Sequence, residues 1–172
     1  MESNGTGLNQ KLKISQISNN MNLPLYIKKN YILIIKNGSN SSETNKSLIE
    51  ENGENSTEKI FEKILSTKDI SYNYIIETIR DDPDTLISFL KDVLSYTNIE
   101  LIVFENFKED KHKSLIRTIK DKDKNVKIII LVGNEKLDPL KTYCETMNIE
   151  AVLDNQINET KYEELFWKLR II

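Results

Sequence analysis

Five short runs of apolar, largely β-branched residues recur along this chain, each separated from the next by a longer amphipathic stretch, and this alternation restricts the fold more than any other feature. The purest run is Tyr31-Ile32-Leu33-Ile34-Ile35. Successive side chains of a strand point to opposite faces, so a strand apolar at every position must be buried on both. Further strand-like runs lie at Tyr72 to Thr78, Ile99 to Phe104, Lys127 to Val132 and Ala151 to Leu153. Between them the period changes. Ile60, Phe61, Ile64 and Leu65 share one helical face, and Leu86, Phe89, Leu90, Val93 and Leu94 fall at i, i+3, i+4, i+7 and i+8, the stripe of an amphipathic helix. Leu115, Ile116 and Ile119 mark a third helix, Leu140, Tyr143, Cys144 and Met147 a fourth, and Tyr162, Leu165, Phe166 and Leu169 a fifth. Asp82-Pro83 and Asp138-Pro139 each pair an N-cap residue with a first-turn proline, whose missing N–H costs nothing there; both predict helix starts. Strict strand–helix alternation predicts a doubly wound, three-layer α/β sandwich with a five-stranded parallel sheet, of the flavodoxin-like type.

With 172 residues, 38% of them hydrophobic, the chain is long enough for one domain with a substantial core. A formal net charge of −3 excludes any global electrostatic pull toward nucleic acid or anionic membrane. Cys144 is the single cysteine, so no internal disulfide forms. Together with an N-terminus that lacks a signal-peptide pattern, this sets the cytoplasm as the expected location. No apolar run approaches the roughly 18 residues of a membrane span. Residues 1–28 are polar and read as an unstructured tail, although Leu23-Pro24-Leu25-Tyr26-Ile27 offers an apolar stretch that could dock. The domain is expected over 29–172, with a mobile Ser/Asn-rich insertion at about 37–57. Asn, Ile and Lys crowd the sequence and Ala151 is its one alanine, a pattern of codon bias that deprives the sequons at Asn4, Asn37, Asn40, Asn45, Asn55 and Asn158 of weight.

In doubly wound sheets, ligands and reactive groups gather at the carboxyl ends of the strands. Here those ends are predicted at Lys36-Asn37, Glu77-Thr78, Glu105-Asn106, Val132-Gly133-Asn134 and Asp154-Asn155. No glycine-rich phosphate cradle follows the first strand, which argues against Rossmann and P-loop nucleotide enzymes. One histidine, His112, and one cysteine cannot assemble a zinc site at ordinary spacing. His112 therefore reads as an exposed residue near a helix start, and Cys144 as a packed thiol.

From Tyr31 onward the order of elements resembles the receiver domain of two-component response regulators. Ile99 to Glu105 is similar to that family's third strand, Lys127 to Gly133 to its fourth, and Met147 to Ile157 to the stretch leading through its fifth. The resemblance places Glu105 at the position of the phosphorylated aspartate. Lys36 and Asn37 stand where an acidic pair would hold Mg²⁺, Val132 where a switch hydroxyl belongs, and Asn155 where a lysine would contact the phosphoryl group. An ammonium at Lys36 repels the cation that two carboxylates would bind. What this implies is a degenerate pseudo-receiver, not an enzyme, needing no cofactor or metal. It would act as a phosphorylation-independent protein-interaction or signalling module for protein partners, a homodimer among the options, with signal passing through the fourth and fifth helices and the fifth strand. Glu105 would then mimic a charged acceptor or pair with Lys36. Tyr143, Tyr162 and Trp167 are the candidate interface residues. Two other classes compete. One is a small-ligand or metal-binding enzyme using a crevice of Glu77, Glu105, Asn134 and Asp154. The other is a DNA-associated regulator using Lys108 to Lys127, where eight basic residues accompany four acidic ones. The interspersed acids make a solvated helix the better account, so nucleic acid is disfavoured.

Overall fold

In a computed structural model that describes residues 29–37 and 55–172, β1 (Asn30–Asn37) carries the purest apolar run and lies inside the sheet. The predicted tail and most of the predicted insertion lie outside the described residues, as do Leu23 to Ile27. The chain continues through α1 (Thr57–Thr67), β2 (Tyr74–Asp81), α2 (Pro83–Tyr96), β3 (Asn98–Phe104), α3 (Glu109–Lys122), β4 (Lys127–Val132), α4 (Asn134–Met147), β5 (Glu150–Leu153) and α5 (Glu159–Lys168). All strand pairings are parallel, in the order β2-β1-β3-β4-β5. This is the flavodoxin-like arrangement that the alternation predicts, and its direction of winding reverses between β1 and β3.

Each face of the sheet buries its own core. Tyr31, Leu33 and Ile35 pack with Ile102, Phe104, Ile128 and Ile130 beneath α2, α3 and α4. Ile32 and Ile34 pack with Leu101, Val103 and Ile129 beneath α1 and α5. Ile32, Leu33 and Ile34 are fully inaccessible, each worth about 1.5–3 kcal/mol of burial. Glu100 is an extra residue in β3: Tyr31 pairs with Ile99 but Ile32 with Leu101. Its carboxylate gathers the amino-terminal ends of three other strands, accepting from Asn30 Nδ2 at 2.8 Å and Lys127 Nζ at 2.7 Å and lying 3.1 Å from Tyr74 Oη.

Three boundaries depart from the sequence reading. Tyr72 belongs to a 3₁₀ turn (Ser71–Asn73) and is 66% exposed; β2 begins at Tyr74 and runs past Thr78 to Asp81. Glu77 therefore sits in mid-strand opposite Leu33, not at a strand end. Pro83 opens α2 as expected, but α4 starts at Asn134, with Gly133 as N-cap and Pro139 inside the helix. Pro139 is exposed, and the apolar contacts of Leu137 and Leu140 on either side of it hold the helix against the core.

The hydroxyls of Tyr31 and Tyr143 are buried without a hydrogen-bond partner among the described residues. A polar group buried in this way costs about 1–3 kcal/mol. Tyr31→Phe is therefore expected to raise the unfolding free energy by about 1 kcal/mol in urea titration. A loss of similar size would show that an ordered water satisfies the hydroxyl.

Candidate functional site

Alternation along β1 puts Lys36 on the same face as Ile32 and Ile34, at the carboxyl end of the strand and above the α1–α5 core. Its side chain is only 13% exposed, so the ammonium must find counter-charge. It does so in α1, whose N-cap Ser56 starts the helix and whose first turn presents Glu58. Lys36 Nζ lies 3.0 Å from both Glu58 oxygens and 3.9 Å from Glu105 Oε2. Thr78, beside Ile34 on β2, donates its hydroxyl to Glu58 Oε1 at 2.5 Å. Burial pushes the Glu58 carboxyl up, but the Thr78 hydroxyl, its own backbone N–H and Lys36 outweigh burial and hold it below the ordinary carboxylate value.

Beneath this cluster lies Tyr162 of α5, 1% exposed, its hydroxyl 3.4 Å from Thr57 Oγ1 and its ring edge-on to Phe61 at 4.7 Å. Burial raises its pKa well above the ordinary phenol value, with the charges of Glu105 and Glu58 acting in the same sense. Tyr162 thus stays protonated, and its hydroxyl faces Thr57 at the start of α1. It offers no surface for a partner, which corrects its assignment as an interface residue. Trp167 is 59% exposed with Lys68 Nζ 5.5 Å from its ring centroid, whereas Tyr143 is half-buried beneath Lys113 Nζ at 4.7 Å.

On the opposite face of the sheet, the expected exposed histidine is buried: His112 is 2% accessible. Its Nδ1 accepts the Lys108 N–H at 2.9 Å and its Nε2 lies 2.8 Å from Asp81 Oδ2. Phe104 and Phe107 flank the ring at 4.9 and 5.7 Å. Burial lowers its pKa, against the opposing pull of Asp81. His112 extends the core-facing stripe of Leu115, Ile116 and Ile119 by one turn of α3, a signal masked by its charged neighbours in the sequence.

No family model, curated protein or solved structure matches the chain. Its chemistry is therefore read from its own residues. Of the sequence-derived positions, Lys36 and Glu105 come together on one face. Asn37 ends β1 in register with Asp81. Val132 is buried in the opposite core with Phe104, and Asn155 is exposed in a turn after β5, so neither joins the cluster. Glu77 is in mid-strand, while Asn134 and Asp154 are exposed. Among the described residues, open cavities of about 500 and 560 Å³ lie elsewhere, one between α4, β5 and the end of α5 and another between α1 and β2. Among the described residues no group of three or more His, Cys, Asp or Glu side chains could hold a metal ion, and no helix is long and apolar enough to cross a membrane. Of the basic residues from Lys108 to Lys127, Lys113, Lys120, Lys122 and Lys127 all donate to groups of the domain itself. Cys144 is buried, and burial raises its thiol pKa, as befits a packed rather than a reactive sulfur.

Glu58 was not singled out from sequence, and Thr78 entered only as part of the predicted end of the second strand. The available signal was an acidic residue in the first turn of the helix following β1, which points back at that strand's end.

Because the folded pKa of Glu58 lies below 4.5, its contribution to stability is complete above that pH and is lost as pH falls through the lower folded value. Glu58→Gln is expected to cost roughly 1–3 kcal/mol at neutral pH in urea unfolding, with the gap to the parent chain closing toward pH 3. A gap independent of pH would show that packing, not charge, makes Glu58 important.

Proposed function

We propose that this chain is a non-catalytic pseudo-receiver that acts as a phosphorylation-independent protein-interaction or signalling module. The observation that carries the reading is the position of Lys36: its ammonium sits 3.0 Å from Glu58 and 3.9 Å from Glu105, at the strand end where the receiver resemblance would have carboxylates hold Mg²⁺. A covalently tethered cation in that place takes over the charge balance of a metal ion and repels one from solution. The flavodoxin-like strand order supports the reading, because it brings Lys36 and Glu105 side by side where the winding reverses. Val132 and Asn155 support it as well, since neither supplies a hydroxyl or ammonium that would follow a phosphoryl group. On this reading the domain works through its surface. Trp167, the most exposed of the three aromatic candidates, is the natural anchor for a protein partner.

The test is a Mg²⁺ titration of the full chain followed by amide NMR, with and without a small acyl phosphate, at Lys36, Glu105 and Gly133. The expected result is no saturable shift at any of the three. Saturable shifts clustered at these strand ends would overturn the reading and assign a working metal or phosphate site with unusual ligands.

A further inference from the structure

Both nitrogens of the buried His112 ring are committed, and in a way that only one protonation state permits. A nitrogen that accepts a backbone N–H carries no proton of its own, so the Lys108 N–H at 2.9 Å fixes Nδ1 as bare. The ring proton is then on Nε2, which donates to Asp81 at 2.8 Å. Lys108 is also the N-cap of α3, and its carbonyl accepts the His112 N–H at 2.8 Å. Ring and backbone together close the first turn of the helix and fasten it to the last residue of β2.

We propose that His112 is an acid-sensitive latch: it holds the β3–α3 connection, and with it Glu105, against the end of β2, and it opens when Nδ1 takes a proton. Protonation would place two donors, Nδ1–H and the Lys108 N–H, face to face at a separation of 2.9 Å, so either the ring withdraws or the Lys108 peptide turns. The connection from Glu105 to Lys108 is short. At its other end the Glu105 N–H donates to Ile35 O at 3.0 Å, and Phe107 N–H reaches Leu131 O at 3.3 Å. Release at His112 therefore acts directly on the segment that positions Glu105 near Lys36.

The charged groups that act on the ring are Asp81 from β2 and Lys108 and Lys111 from α3 and its cap. β3 and the connection present the rings of Phe104 and Phe107. Asp81 favours the charged ring, while burial and the two lysines oppose it, and burial is the largest influence. The opened ring, back in water, regains the ordinary value of 6.5. Opening is then favoured about tenfold for each pH unit below that value. The inference stands apart from the receiver reading, since it needs neither a phosphoryl group nor a partner.

The test uses the full chain. Ring-nitrogen NMR shifts are expected to show the Nε2–H tautomer at pH 7.5. The opening equilibrium of the Lys108 amide, taken from hydrogen-exchange protection, should rise about 30-fold between pH 7.5 and 5.0, while Ile130 in β4 stays nearly constant. In His112→Gln the side-chain carbonyl can accept from Lys108 and the amide can donate to Asp81 without titrating, so this pH dependence should vanish. An Nδ1–H tautomer, a Lys108 protection that ignores pH, an equal fall at Ile130, or a pH response retained in His112→Gln would each overturn the proposal. If the variant does not fold, the first three readings on the parent chain decide.

Discussion

A strand buried on both faces cannot end in a lysine unless the fold brings counter-charge to it, and much of the carboxyl end of this domain follows from that constraint. Ile35 is 2% exposed, and the Lys36 side chain beyond it 13%. Removing an ammonium from water this far costs several kcal/mol unless carboxylates compensate it. The carboxylates come from two different elements, the first turn of α1 and the end of β3, and the nearer of them is itself held by Thr78 of β2. The ion cluster thus fixes three strands and a helix relative to one another. A buried ion pair adds less net stability than apolar residues of equal volume; what it adds here is geometry, because the apolar core beneath would tolerate small shifts of α1 and the ion pair tolerates far less.

The same logic operates on the other face with a neutral donor in place of a charge. Asp81 ends β2, is 8% exposed and faces the α2–α3 side, where the Nε2–H of His112 satisfies it. The two polar assemblies sit at the same end of the sheet, on opposite sides, joined by the short connection from Glu105 to Lys108. At the far end Glu100 serves a third, linking Asn30, Tyr74 and Lys127. In each of these three assemblies the polar side chain meets a partner supplied by another element, the condition under which buried polar groups rigidify rather than weaken a fold; the hydroxyls of Tyr31 and Tyr143 lack such a partner among the described residues.

The fold was legible because its signals are collective. Unbroken apolarity from Tyr31 to Ile35 and the stripe from Leu86 to Leu94 each combine many residues, and no single exception alters their meaning. The misreadings arose where one residue carried the inference. Asp138-Pro139 has the local chemistry of a helix start, yet tertiary contacts of Leu137 and Leu140 extend the helix upstream to Asn134. His112 lies among charged neighbours in sequence, and only the three-dimensional placement of Asp81, distant in the chain, makes its burial affordable. At the site, Lys36 and Glu105 could be found because strand ends are privileged positions in this fold class. Glu58 was missed because the sequence stripe of Ile60, Phe61, Ile64 and Leu65 marks the helix but not its first turn, which starts at Thr57 and carries the acidic residue.

A tethered ammonium and a bound metal ion differ in one respect that bears on regulation. A metal comes and goes with its concentration, so a site built on it has two occupancies to switch between. Lys36 is held by its own chain at a local concentration no solute can match, so its cluster has one occupancy at any solute concentration. If the strand end of this domain is a receiver site rebuilt around a lysine, it has lost the chemical input that a metal and a phosphoryl group would provide. Any response must then enter elsewhere, through a surface such as the one around Trp167 or through a group that acid can charge. His112 is the one histidine in the chain, and it sits where a change of charge is felt by the segment that carries Glu105.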